Sequence, residues 1–194
     1  KVTLDLLTIF LYSYLLGSIP FGLIITKIFL KKDVRNIGSG NIGATNVLRT
    51  GNKFLAALTL IFDILKGYIT FFIAYTYFDD FVYFAALICF IGHIFPLWLK
   101  FKGGKGVATY LGIIMCLSFK LAIIFGLSWL IILFIYKYSS LSSMFSSFIV
   151  FLYSLFLDSF SMSFYLFTVF IIIIYTHKEN IISIKNKTEN KIKL

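Results

Sequence analysis

The chain has 194 residues, of which 60% are hydrophobic and only 13% charged, with a mean hydropathy of +0.96. Soluble domains carry roughly 25% charged residues, so this composition excludes a soluble globule, and the short alternating segments of a β-barrel are absent. The formal charge of +10 does not indicate nucleic acid, because the basic residues flank apolar runs, the pattern of positive-inside topology and attraction to anionic lipid.

Residues 3–30 form the first predicted span, interrupted by Gly17-Ser18-Ile19-Pro20, where proline removes a helix hydrogen bond and a kink or break is expected near Ile19. No small-residue cleavage site follows it, so this span is expected to be retained. Residues 31–53 are a polar, glycine-rich loop. The second span covers 54–78 and ends at Asp79-Asp80, and the third covers 81–99. Residues 107–136 follow with Lys120 as their single charge. As one helix that run would be ~45 Å long at 1.5 Å per residue, too long for a ~30 Å hydrocarbon core. Residues 144–175 pose the same problem, with Asp158-Ser159 near the middle. Splitting both runs yields seven spans. It also places the four basic groups (31–53, 100–105, Lys137 and the tail after His177) on one face, away from the segments where Lys1 and Lys120 share company with Asp5, Asp79, Asp80 and Asp158. The positive-inside rule makes the basic face cytoplasmic. The expectation is an all-α integral membrane protein of about seven transmembrane helices, N-terminus outside and C-terminus cytoplasmic. It is a single polytopic domain over 1–194, with 31–53, 100–106, 137–143 and 177–194 forming the site. Cys89 and Cys116 lie in apolar runs without ligand spacing and read as buried thiols.

Four polar groups converge on that face. In Gly38-Ser39-Gly40-Asn41-Ile42-Gly43-Ala44-Thr45-Asn46-Val47-Leu48-Arg49 the glycines let the backbone approach a ligand and aim N–H groups at it. Ser39, Asn41, Thr45 and Asn46 add short polar groups, and Arg49 a planar fork suited to phosphate. A flexible connector would explain the glycines but not these polar neighbours. In Phe101-Lys102-Gly103-Gly104-Lys105-Gly106-Val107-Ala108-Thr109, glycines around Lys105 run into a helix and resemble a phosphate cradle. A Walker A loop is excluded by spacing, so phosphate binding without nucleotide hydrolysis is expected, against the plainer reading of a basic turn on lipid headgroups. His93, in Gly92-His93-Ile94-Phe95-Pro96, reads as a structural or loop-orienting group rather than a base. Tyr138-Ser139-Ser140-Leu141-Ser142-Ser143 reads as a turn or helix cap, with an active-site role equally open. In Thr176-His177-Lys178-Glu179-Asn180-Ile181, His177 and Asn180 share one face of a continuing helix, unless this is ordinary interfacial polarity; residues 185–194 read as a solvated basic tail. Asp63 and Lys66 are spaced to neutralise each other and brace the bundle beneath the loops. No His-x-x-x-x-Asp motif, Gly-x-Ser-x-Gly elbow, CxxC or carboxylate cluster is present, so neither an activated serine nor a metal or other cofactor is expected.

Gly17-Ser18-Ile19-Pro20, the 38–49 loop, Asp63-Ile64-Leu65-Lys66-Gly67, the 92–109 segment and His177-Lys178-Glu179-Asn180 together resemble the bacterial acyl-phosphate:glycerol-3-phosphate acyltransferases of the PlsY type. The resemblance runs from about residue 15 to 192; the stretch after Asn180 lacks some arginines of the family, and 144–174 matches only in hydropathy. It implies a seven-helix inner-membrane enzyme of phospholipid synthesis that acylates the 1-position of glycerol-3-phosphate from a fatty acyl phosphate. Carried over residue by residue, it implies that Ser39, Arg49, Lys105, His177 and Asn180 act in catalysis. Ser140 joins them at the site, and Gly103, Gly104 and Gly106 shape the phosphate loop. Asn41, Thr45 and Asn46, from the reading of the first loop, complete the substrate-binding set. The expected partners are the two substrates and membrane lipid, with no nucleic acid, and a monomer is expected. A transporter of phosphorylated solutes is the main alternative, disfavoured because the polar motifs crowd one face and no paired repeats occur. A lipid-binding scaffold would not need such particular loops.

Overall fold

The computed structural model describes residues 2–192, which are helical without a strand. Lys1 and Lys193, part of the charge pattern above, lie outside the described residues. The chain divides into two compact units, residues 1–116 and 117–194.

In the first unit the opening span is broken where proline requires it. Helix α1 (Val2–Gly17) stops, Ser18, Ile19 and Pro20 are non-helical, and α2 (Phe21–Leu30) resumes. The carbonyls freed by the break are not left bare: Trp98 Nε1–H donates to the Ser18 carbonyl (2.7 Å) and the Lys66 ammonium to that of Ile19 (2.9 Å). In an apolar surrounding each unsatisfied backbone group would cost several kcal/mol, so these two side chains, with the Phe21 N–H that also reaches the Ile19 carbonyl (3.2 Å), make the break tolerable. The 31–53 segment contains a 3-10 turn (Val34–Asn36) and a short helix α3 (Ala44–Leu48). Its buried side chains, Val34, Ile42 and Val47, pack with Leu23, Ile25, Leu55 and Ala56, so this loop is folded rather than loose.

Helix α4 (Lys53–Tyr77) is capped by Asn52, whose side-chain oxygen accepts from Leu55 N–H (3.0 Å). Helix α5 (Val82–Ile94) stops short of the expected end at 99: Pro96 restricts the residue before it and lacks an N–H, and a 3-10 turn (Leu97–Leu99) follows. Helix α6 (Val107–Leu117) closes the unit. The helices touch through glycines. A Cβ on Gly17 would strike the backbone of Cys89, one on Gly67 the carbonyl of Thr109, and one on Gly112 the carbonyl of Ile64.

The second unit holds α7 (Phe119–Tyr136), α8 (Ser139–Ser154), α9 (Phe160–Thr176) and α10 (Lys178–Lys185). Both long apolar runs are split as expected, at Ser118 and between Ser154 and Phe160. Ser159 caps α9 by accepting from Met162 N–H (3.4 Å). Two expectations change. The serine run is the first turns of α8 rather than the turn itself, which is made by Lys137 in a left-handed conformation (φ 64°) and Tyr138. The helix also does not continue through His177: α9 and α10 meet there at 57°.

Among the described residues four stretches are long and apolar enough to cross a membrane: Val2–Leu30, Lys53–Tyr77, Asp79–Leu99 and Phe119–Tyr136. The bent pair Phe160–Thr176 and Lys178–Lys185 makes a fifth if counted as one span, while Val107–Leu117 and Ser139–Ser154 are apolar but shorter.

The glycine contacts set an expectation that thermal melting in detergent checks. Gly112→Ala forces a methyl into the Ile64 carbonyl and should destabilise by about 1–3 kcal/mol. Gly126→Ala, where nothing lies within 4 Å, should be neutral or raise the melting temperature through helix propensity.

Candidate functional site

The first loop is organised by the side-chain amide of Asn46. Its Nδ2 lies 2.8 Å from the Val34 carbonyl, 2.9 Å from that of Ile37 and 2.7 Å from that of Asn41. Its Oδ1 accepts from the Ser39 backbone N–H (3.1 Å) and from Arg49 Nη1 (3.3 Å). Asn46 is buried, at 2% exposure, and its amide is wholly committed to the loop, so it holds the loop rather than reaching outward. Gly38 adopts φ +54°, and a Cβ there would collide with the Arg49 stem and the Asn46 oxygen, so only glycine lets the arginine lie across the turn. Asn41 Oδ1 accepts from Gly43 N–H (3.0 Å), closing the turn that leads into α3. Ser39 is exposed, and Asn41, Thr45 and Arg49 are half-buried.

The two arginines of this segment differ in what they face. Arg35 grips Asp33 through Nε (2.9 Å) and Nη2 (2.6 Å), and its guanidinium holds the Asp33 carboxyl down to about 2. Arg49 has a neutral amide as its neighbour. No carboxylate occurs in sequence between Asp33 and Asp63, nor between Asp80 and Asp158. Residues 34–62 and 81–157 therefore contribute no acid of their own beside Arg49 or Lys105.

The second loop is shaped by glycines pressed onto the end of α5. Gly103 N–H donates to the Ile94 carbonyl (2.9 Å) and Gly104 N–H to the His93 carbonyl (3.0 Å). These two donors are therefore already engaged and do not form the cradle themselves. A Cβ on Gly103 would meet the His93 carbonyl, one on Gly104 the His93 ring, and one on Gly106 (φ +83°) the Phe90 ring. The first hydrogen bond of α6 runs from Tyr110 N–H to the Gly106 carbonyl. The preceding N–H groups of Val107, Ala108 and Thr109 belong to the helix start, where a positive dipole end favours an anion. Lys105, half-buried, stands at that entrance.

In the second unit Ser140 Oγ–H and Asn180 Nδ2–H both donate to Glu189 Oε1, each at 2.7 Å. The described residues beyond Lys185 are mostly exposed, as expected of a solvated basic tail, yet they do not run free of the helices. They fold back, with Ile192 N–H donating to the Lys137 carbonyl (2.9 Å) and the Lys191 ammonium over the Tyr138 ring. Glu189 was missed from sequence; a lone acid in a basic tail was the available signal. His177 is buried at the α9–α10 bend, where its Nδ1 lies 2.8 Å from the Ile173 carbonyl. A carbonyl only accepts, so Nδ1 carries a proton.

The structure thus gathers Ser39, Asn41, Asn46 and Arg49 around one amide, sets Lys105 with Gly103, Gly104 and Gly106 at a helix start, and joins Ser140 and Asn180 through Glu189. Among the described residues no group of three or more His, Cys, Asp or Glu is placed to hold a metal ion.

The family model described as glycerol-3-phosphate acyltransferase matches residues 7–187. The glycerol-3-phosphate acyltransferase of Pelagibacter ubique is 50% identical over 191 residues, covering 98% of this chain and 100% of that one. That of Brucella anthropi is 49% identical, with 98% and 95% covered. Among solved structures, the glycerol 3-phosphate form of PlsY (YgiH), an integral membrane glycerol 3-phosphate acyltransferase, is similar with a TM-score of 0.93. It shares 37% identity, with 97% of this chain and 96% of that one covered. The lysophosphatidic acid form gives 0.90 and 36% over the same shares. With its apolar helices, this likeness makes the chain a multi-pass membrane protein, and the chain belongs to the glycerol-3-phosphate acyltransferase family of the PlsY type.

Proposed function

We propose that the chain moves a fatty acyl group from acyl phosphate to the 1-position of glycerol-3-phosphate, giving lysophosphatidic acid and phosphate for phospholipid biosynthesis at a bacterial cytoplasmic membrane. What supports this reading is the family match together with two glycine-rich basic segments, one bringing Arg49 onto Asn46 and the other setting Lys105 at the start of α6. Both substrates carry phosphate, which calls for two cationic loops, and one carries a long acyl chain, which suits a protein bathed in lipid.

The 1-hydroxyl oxygen attacks the carbonyl carbon of the acyl phosphate. The ester C–O bond forms as the bond from that carbon to the phosphate oxygen breaks, and phosphate leaves with the electron pair. The hydroxyl proton passes to the phosphate of the glycerol phosphate itself. An acyl phosphate is a mixed anhydride with a good leaving group, so positioning and charge neutralisation do more than a strong base would. Arg49 and Lys105 neutralise phosphate, Ser39, Ser140 and Asn180 orient oxygens, and His177 binds or polarises. Asn41 and Thr45 line the first loop, with Asn46 as its keystone, and Gly103, Gly104 and Gly106 hold the second in shape.

The topology that accompanies this reading has seven spans in one polytopic domain, with Val107–Leu117 and Ser139–Ser154 as short crossings, in a monomer. The N-terminal segment lies outside, and residues 31–53, 100–106, 137–143 and 177–194 face the cytoplasm, in accord with their basic residues.

Purified protein in detergent, given acyl phosphate and radiolabelled glycerol-3-phosphate, should form labelled lysophosphatidate. No product there, together with uptake of label into vesicles, would favour the transporter. Arg49→Ala should lower turnover by roughly 100-fold or more while the protein accumulates normally; retained activity removes Arg49 from the site. Gly104→Ala, which drives a methyl into His93, should raise KM for glycerol-3-phosphate about tenfold with a smaller change in kcat, and an unchanged KM refutes the phosphate loop. Glu189→Ala, which releases Ser140 and Asn180, should cut kcat/KM about tenfold or more and loosen residues 186–192 in limited proteolysis.

A further inference from the structure

Lys66 lies at the centre of a polar cluster that takes no part in the proposed acyl transfer. Its Nζ is 2.7 Å from Asp63 Oδ1, 2.8 Å from His93 Nδ1 and 2.9 Å from the Ile19 carbonyl oxygen, and none of Asp63, Lys66 and His93 is more than 4% exposed. An ammonium has three protons to donate and no lone pair, so it donates to His93 Nδ1 and the Ile19 carbonyl while Asp63 pairs with it by charge. Accepting from Lys66 makes His93 Nδ1 the lone-pair nitrogen and puts the proton of the neutral ring on Nε2.

That Nε2 edge is the one beneath the second loop. A Cβ on Gly104 would fall first on His93 Nε2, then on Cε1 and Cδ2. Meanwhile the His93 carbonyl takes the Gly104 N–H (3.0 Å) and the neighbouring Ile94 carbonyl takes that of Gly103 (2.9 Å). The loop therefore rests on His93 through both ring and main chain, and the ring is pinned from its far side by Lys66. Asp63 offsets the Lys66 charge, so the cluster does not compete with Lys105 for an anion. A buried ionic cluster contributes little net stability compared with apolar packing, and here it sets the angle of one ring.

We infer that Asp63, Lys66 and His93 are positioning residues that set the height and tilt of the 103–106 loop, and so the affinity for the phosphate of the acceptor substrate. The identity of that substrate rests on the proposed acyl transfer; the mechanical coupling does not.

Two measurements on the purified full chain test this. In steady-state assays at saturating acyl phosphate, His93→Asn keeps an acceptor near Nδ1 but withdraws the support under Gly104. It should raise KM for glycerol-3-phosphate about tenfold with kcat within about threefold. His93→Gln, whose amide nitrogen reaches toward the Nε2 position, should recover most of that loss. Lys66→Met alone would strand the buried Asp63 carboxylate and risks misfolding, so the double variant Asp63→Asn/Lys66→Met is used, and it should show the same rise in KM. Amide hydrogen exchange gives a readout independent of substrate: in His93→Asn and the double variant, residues 101–106 should exchange faster while α4 and α5 keep wild-type protection. Unchanged KM and unchanged loop exchange overturn the inference, as does exchange that rises across α4 and α5 together with the loop. If the wild type itself transfers no acyl group, the proposed function fails separately, and the loop exchange alone decides the positioning role.

Discussion

A lysine ammonium enclosed by apolar helices has no water to accept its protons, and much of the first unit is arranged to supply partners for Lys66. They come from three elements: Asp63 one turn earlier on α4, His93 near the end of α5, and the Ile19 carbonyl at the break between α1 and α2. Each group also answers a need of its own. The Ile19 carbonyl lies in the non-helical break beside Pro20, the Asp63 carboxylate requires a cation, and the His93 ring requires one fixed tautomer beneath a tight loop. A single side chain thus ties a broken span to two intact helices, at a point where an unpartnered charge or carbonyl would be costly.

Close backbone approach is the second constraint. Helices that meet at Gly17, Gly67 and Gly112 leave no room for a side chain between them. Small residues serve this purpose where apolar surroundings offer no hydrophobic drive for helix association and packing must supply it. The same device serves the loops. Gly38 lets the Arg49 stem cross the turn and Gly104 lets its loop sit on His93, so at these two positions glycine serves close approach.

Much was legible from residue order because it depends on local rules. Proline at position 20 dictates a break, a run of 30 apolar residues is too long for one crossing, and residues at i and i+3 on a helix meet, so Asp63 and Lys66 pair. The spacing of glycines, hydroxyls and Arg49 in the first loop, and of glycines around Lys105 in the second, also pointed correctly to the family. Other features were hidden because their causes lie far away in the chain. Asn46 reads as a ligand-facing amide until the carbonyls of Val34, Ile37 and Asn41 claim it. Gly103 and Gly104 read as phosphate donors until the end of α5 takes their N–H groups. Glu189 reads as a solvated acid until Ser140 and Asn180 donate to it.

Residue order settled the membrane class, the breaks in the spans and which polar segments are chemically particular, since hydropathy, proline geometry and charge placement act within a few residues. Folding in three dimensions decided which of those polar groups are left facing outward and which are already satisfied by partners within the protein. A hydrogen-bonding group is defined by the acceptor or donor it meets, and for His93, Asn46 and Asn180 that partner is brought in only when helices and loops pack. The same sequence motif can therefore bind a ligand or brace a loop, and the geometry of its neighbours makes the choice.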